Sequence, residues 1–259
     1  MFTYNYHTHT SRCGHAGGSD EEYVQAAIKA GYQILGFSDH APYRDFYHEG
    51  CHMRWSQLDD YVQSISSLKE KYKDQIEIKI GLESEYYPFN HEERKELAKR
   101  FDYFLLGQHF AHPSGIGASY FRQNSEEEIM EYGKTVCEGL RAGFYTYLCH
   151  PDVIMSHQPC FSKTCETVAH MIGETCALTD TPLEVNIRGI LKGKHMFEEG
   201  EFYSYPNRLF WKIIAEYPVR VTIGIDAHAP EDLLKTGDID KAMEELKDLD
   251  LHFISDPFI

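Results

Sequence analysis

The chain has 259 residues, 41 acidic against 25 basic, for a formal charge of −16. That balance repels nucleic-acid phosphates and favours a small substrate over a polymer. No linker, low-complexity tract or repeat divides the chain, and no apolar run nears the roughly 20 residues that cross a bilayer, so residues 1–259 read as one non-membrane domain.

An apolar run at Phe2–Tyr6 predicts the first strand, ending on His7 and His9, which share a face because they are two residues apart on an extended chain. His15 follows in the glycine-bracketed loop CGHAGG. A helix over Asp20–Ala30, capped by Ser19, leads into a second strand at Gln33–Phe37 that ends SDH at His40. A helix at Gln57–Tyr72 precedes the strand Ile76–Leu82, which ends GLESE with Glu83 and Glu85. After a helix at Glu92–Lys99, the strand Tyr103–Leu106 ends GQH at His109. A helix at Glu126–Ala142 behind Ser125 leads to Tyr145–Leu148, ending CHPD at His150. The pattern repeats with a helix at Lys163–Leu178 behind Ser162 and a strand at Leu183–Ile187 carrying Asn186 and Arg188 at its end. Finally a helix at Pro206–Glu216 precedes Val219–Ile225, which ends GIDAH with Asp226 and His228, and a helical tail spans Asp238–Leu249.

Strands alternating with helices predict parallel β/α units, and seven of them in one domain predict a distorted, TIM-like (β/α)7 barrel, with an open doubly wound sheet as the alternative. In such folds chemistry gathers at the carboxyl ends of the strands. Six of the seven predicted strand ends carry a His, Asp or Glu able to bind a metal, and one shared site accounts for all of them at once. Glu85 has the same facing as Glu83 and reads as a supporting carboxylate or a structural ion pair. The seven cysteines include no C-x-x-C pair and no C-x5-R loop; they read as reduced thiols of a cytoplasmic protein without a leader segment, and exclude a thiolate phosphatase.

Taken together, HTHTSRCGH, SDH, GLE, GQH, CHPD and GIDAH resemble, in order and spread, the motifs of the polymerase and histidinol phosphatase (PHP) superfamily of metal-dependent phosphoesterases. The length and the HAGG loop resemble its histidinol-phosphate phosphatase branch. The resemblance implies the PHP fold, a distorted seven-stranded barrel, and three divalent ions, whether zinc, manganese or iron. It assigns His7, His9, Glu83 and Asp226 to one ion, Glu83, His109 and His150 to a second, and His15, His40 and His228 to the third. It implies hydrolysis of a small phosphate monoester, L-histidinol phosphate of histidine biosynthesis, by a hydroxide bridging the two ions that share Glu83. The alternative within the superfamily is a phosphoesterase acting on nucleotides, oligonucleotides or other small phosphate monoesters, and the acidic balance speaks mildly against the nucleotide reading. Asp226 or His228 can protonate the leaving oxygen or orient a water toward it. Arg188 is the first choice as a phosphate clamp, then Arg122 and Arg54, because a guanidinium grips two oxygens at once. The Tyr- and Glu-rich segments YRDFYHEG and ESEYYPF are candidates for an acidic wall around the cationic end of histidinol phosphate.

Overall fold

The computed structural model of the chain describes residues 3–254 and residue 258, so Phe2 of the first predicted strand lies outside the described residues. Local sequence signals set the helix ends. Helix α1 (Asp20–Ala30) begins in a capping box between Ser19 and Glu22 and stops at Gly31 in the left-handed conformation. Helix α4 (Glu126–Ala142) repeats the device with Ser125, Glu128 and Gly143, and α5 (Lys163–Thr179) starts on the Ser162 hydroxyl. The other helices are α2 (Leu58–Tyr72), α3 (His91–Ala98), α6 (Arg208–Ile214) and α7 (Gly237–Leu246).

Each predicted strand is present, most of them shorter: β1 (Tyr4–Asn5), β2 (Ile34–Phe37), β3 (Glu77–Ser84), β4 (Tyr103–Leu106), β5 (Tyr147–Leu148), β6 (Leu183–Asn186) and β9 (Arg220–Gly224). They form one parallel sheet in the order β1-β2-β3-β4-β5-β6-β9-β10, whose eighth member, β10 (His252–Phe253), corrects the expected count of seven. Two residues of strand are too few to leave a periodic signal in the sequence. The other addition is an antiparallel hairpin of β7 (Lys194–Phe197) and β8 (Gly200–Tyr203), whose strand β7 is exposed except at Phe197. An exposed strand of this kind has no apolar run to reveal it.

The sheet curls until β1 and β9 meet at their carboxyl ends. There Thr8 bridges Ala227, with His9 N donating to Ala227 O at 2.9 Å and Ala227 N to His7 O at 3.1 Å. Near the amino ends β10 pairs with the start of β9, and Tyr4 OH donates to Ile254 O at 2.7 Å. The result is a curled, half-barrel parallel sheet of eight strands.

The principal core lies where helices cover the sheet, with Phe37, Phe104, Tyr132, Phe210 and Trp211 buried among aliphatic neighbours. A smaller cluster of Tyr4, Tyr6, Tyr103, Leu105, Tyr147 and Cys149 packs separately from it. Among the described residues no helix is long and apolar enough to cross a membrane, and all seven cysteines are free thiols.

Candidate metal centre

At the carboxyl ends of the strands the chain turns sharply inward. His150 and Asp226 sit at φ 31° and 55°, in the left-handed region, which costs about 1–3 kcal/mol at a non-glycine residue and persists only where the surroundings enforce it. Two glycines make the space. A Cβ at Gly107 would stand 2.0 Å from Glu83 Oε1, and one at Gly224 would stand 1.9 Å from Glu184 Oε2.

The buried Glu83 carboxylate is the hub. Its Oε2 lies 3.5 Å from His7 Nε2, 3.5 Å from His9 Nε2 and 3.1 Å from His40 Nδ1, while Oε1 lies 3.1 Å from His109 Nε2 and 2.7 Å from His150 Nε2. Asp226 Oδ1 faces the same histidines, 3.6 Å from His7 Nε2 and 3.1 Å from His9 Nε2. On the open side His228 Nε2 meets His15 Nε2 at 2.9 Å, and the His228 ring stacks on His9 with centroids 4.0 Å apart. All nine residues expected as donors are therefore gathered around one cavity, six of them (His15, His40, Glu83, His109, Asp226 and His228) forming part of its wall.

Four of these atoms, His7 Nε2, His9 Nε2, Glu83 Oε2 and Asp226 Oδ1, are buried and without a hydrogen-bond partner. Buried polar atoms are seldom left so, because each forfeits its hydration. Their cross-separations run from 3.1 to 3.6 Å. Ligands about 2.0–2.1 Å from a tetrahedral ion lie roughly 3.3–3.4 Å apart, so the orphaned atoms have the spacing of donors around a cation. In further triads, His40 with Glu83 and His109, and His9 with His40 and His228, the donor atoms lie within 4.8 Å of one another. Imidazoles and carboxylates of this kind suit zinc, manganese or iron.

Without a cation, protons partly neutralise the cluster. Burial works against charge on His7, but Glu184, Asp226 and Glu83 outweigh it and hold the ring well above the usual histidine range. His109 is likewise raised, to about 10, by Glu83 and Glu85 despite burial. Burial and the neighbouring His9 push the other way on His40, His15 and His228, the last to about 4. Glu83 and Asp226 stay well below the usual carboxylate range because the surrounding histidines overcome their burial.

Behind the donors stand three buried carboxylates, two of them hydrogen-bonded to the far nitrogen of an imidazole and the third, Asp39, facing one without a hydrogen bond. Glu184 lies 3.0 Å from His7 Nδ1, Glu85 lies 3.0 Å from His109 Nδ1, and Asp39 lies 3.5 Å from His9 Nδ1. Such a partner fixes which ring nitrogen carries the proton and leaves the other free for a metal. Glu85 matches the supporting role read from the sequence and also binds His52 and Tyr43 OH. Asp39 and Glu184 were missed. Glu184 was legible, since it precedes Asn186 by two on the same strand and must share its face. Cys149 also approaches Glu83 Oε1, at 3.1 Å, but burial and Glu83 push its thiol far up, so it remains protonated.

The cavity encloses about 250 Å³, enough for a phosphate and a small organic group. Arg188 lines it, with one guanidinium nitrogen 3.3 Å from Asp226 O and 3.7 Å from Asp232 Oδ2. Arg122 does not line it: its guanidinium is exposed and pairs with Glu128 at 2.8 Å, which corrects its expected role. Arg54 lies instead over the exposed ring of Tyr47. The expected acidic wall is also corrected, because Tyr43, Tyr86 and Tyr87 are buried in packing and the wall beyond the metal donors consists of Gly50, Cys51, His52, Phe110, Phe121, Arg188, Lys192 and Tyr205.

A family model described as "PHP domain" matches residues 5–188. The chain belongs to the PHP domain family. The matched span includes the expected donors from His7 to His150, while Asp226 and His228 lie beyond it. Among relatives, a Deinococcus radiodurans protein named "Probable histidinol-phosphatase" is 29% identical over 154 residues, 57% of this chain and 59% of that protein, under two thirds of its length. A Schizosaccharomyces pombe protein of the same name is 27% identical over 245 residues, 86% of this chain and 80% of its own. In three dimensions this PHP chain is similar to a histidinol phosphate phosphatase from Lactococcus lactis subsp. lactis Il1403 crystallised with zinc, L-histidinol and phosphate. The TM-score is 0.74 at 22% identity, covering 98% of this chain and 95% of that one.

Proposed function

We propose that this PHP protein is a cytoplasmic, metal-dependent phosphomonoesterase that hydrolyses L-histidinol phosphate to L-histidinol and phosphate. The observation that carries the hydrolytic reading is the set of four buried, unpartnered donor atoms of His7, His9, Glu83 and Asp226 facing one another at ligand spacing. These residues would hold one divalent ion, Glu83, His109 and His150 a second, and His15, His40 and His228 a third. Such ions, when bound, lower the pKa of a water and neutralise charge on phosphoryl oxygens. The substrate assignment is supported by relatives named histidinol-phosphatase over most of this chain, and by a similarly folded protein that binds zinc, histidinol and phosphate.

The chain's own residues do the rest. Arg188, at the cavity wall beside Asp226, grips phosphoryl oxygens and sets the ester in line for attack by water. Asp226 is ionised and His228 neutral, so both act first as acceptors. The Asp226 carboxylate takes the proton of the attacking water as the oxygen–phosphorus bond forms, and the proton returns to the leaving alkoxide as the ester bond breaks. Phe110, Phe121 and Tyr205 line the cavity beside the donors and limit the water around the bound ester.

The test is a screen of metal-reconstituted protein against histidinol phosphate, nucleotides, sugar phosphates and phosphotyrosine peptides. Histidinol phosphate is expected to give the highest kcat/KM. A tenfold preference for a nucleotide, about 1.4 kcal/mol of transition-state binding, would overturn the substrate assignment.

A further inference from the structure

Lys192 is the other cation of the cavity wall, and no sequence motif pointed to it. Residues 188–192 form a short helical turn directly after β6, and Arg188 and Lys192, its first and last residues, both line the cavity. Arg188 is engaged with Asp226 O and Asp232. Lys192 is different. Among the described residues its ammonium is seen only over ring faces, 5.3 Å from the centroid of Phe121 and 4.9 Å from that of Tyr205, with no carboxylate in reach of it. Both rings line the same cavity. Ring faces attract the cation and fix its place without using up its three N–H donors. The ring of Phe121 is in turn stacked on His109, 5.6 Å away at 9°, which ties the ammonium's seat to the metal donors. Partial burial of the ammonium and the proximity of Arg188 disfavour its charge, and Asp226 favours it. In a chain of net charge −16, two cations set together on the wall of this cavity, one of them without an ion pair among the described residues, mark the point where a dianion is received.

We propose that Lys192 is a substrate-binding residue whose ammonium, together with Arg188, takes an oxygen of the phosphoryl group. This rests on the phosphatase reading above and adds to it the residue that receives the dianion. Lys192 as a residue is exposed even though the two rings partly cover its ammonium, and the buried positions of its turn are Gly189 and Ile190, so its replacement leaves the fold intact.

The experiment is calorimetric titration of inorganic phosphate into metal-loaded wild type, Lys192→Met and Lys192→Arg, beside steady-state kinetics on histidinol phosphate. Lys192→Met is expected to raise the phosphate Kd and the KM at least tenfold while kcat stays within threefold. Lys192→Arg is expected to stay within threefold of wild type on all three. A phosphate Kd in Lys192→Met within twofold of wild type overturns the proposal, as does a raised KM without a raised phosphate Kd, which would seat Lys192 on the leaving group. If wild type binds phosphate in this Lys192-dependent way yet does not turn over histidinol phosphate, the substrate reading fails and the Lys192 site stands. If wild type binds no phosphate, both fail.

Discussion

Replacing Glu184 with glutamine keeps the shape of a wholly buried side chain and removes its charge. Both Glu184 oxygens lie against His7 Nδ1, at 3.1 and 3.0 Å, and Asn186 Nδ2 donates to Oε1 at 2.8 Å. The carboxylate cannot retreat, since it is pressed onto Gly224 where a Cβ would come within 1.9 Å. Because Nδ1 donates to Glu184, the His7 Nε2 lone pair is left aimed at the space between Glu83 and Asp226. With its oxygen at the Oε1 position glutamine still accepts from both Nδ1 and Asn186 Nδ2, but its NH2 group then stands 3.0 Å from the His7 Nδ1 donor, where the second carboxylate oxygen accepted. Partners that orient a metal-binding histidine are worth about 10–100-fold in metal affinity, or roughly 1.4–2.7 kcal/mol. Glutamine is expected to lose about tenfold and Glu184→Ala, which frees the ring altogether, about a hundredfold. Zinc affinity measured by competition with a chelating indicator, with circular dichroism confirming the fold, checks this. Zinc bound by Glu184→Ala within twofold of wild type would refute the reasoning.

Glu83→Gln should lose at least about a hundredfold in turnover while remaining folded, because one carboxylate serves His7, His9, His40, His109 and His150 together; near-normal kcat in a steady-state assay would contradict its role. Gly107→Ala places a methyl group 2.0 Å from Glu83 Oε1, so thermal melting should show a loss of about 1–3 kcal/mol together with lower metal content, and an unchanged melting temperature would count against the packing described. In the metal-free protein, the proton held by His109, whose pKa is raised to about 10, contributes stability that is complete below pH 6.5 and is lost as the pH rises toward 10. Calorimetric melting temperatures of the metal-free protein should therefore fall across that window, and a flat or rising profile would contradict it.

The sequence carried the strand ends because the donors come from the ends of independent strands, each closed by a polar residue after an apolar run. It carried helix starts at Ser19, Ser125 and Ser162 because capping is a local interaction. What it did not carry depends on tertiary approach. Arg122 and Arg188 look alike as residues, and only the path of the loop after β4 sends the first to Glu128 and away from the cavity. Tyr43, Tyr86 and Tyr87 read as an acidic loop's aromatic wall, yet the core claims them, with Tyr43 OH donating to Glu85 at 2.6 Å. Asp39 was hidden by its neighbour His40, and Lys192 by an exposed turn without periodicity. Strand β10 joins the sheet beside β9 through two residues, too few to register in any sequence pattern.

The central claim is that the residues at the strand ends form a binding site for divalent cations, and elemental analysis of the protein after gentle, chelator-free purification tests it most directly. The account predicts close to three equivalents of zinc, manganese or iron per chain, with fewer in His7→Ala and in Glu83→Gln. Less than one equivalent in wild type, with His7→Ala unchanged, would contradict it.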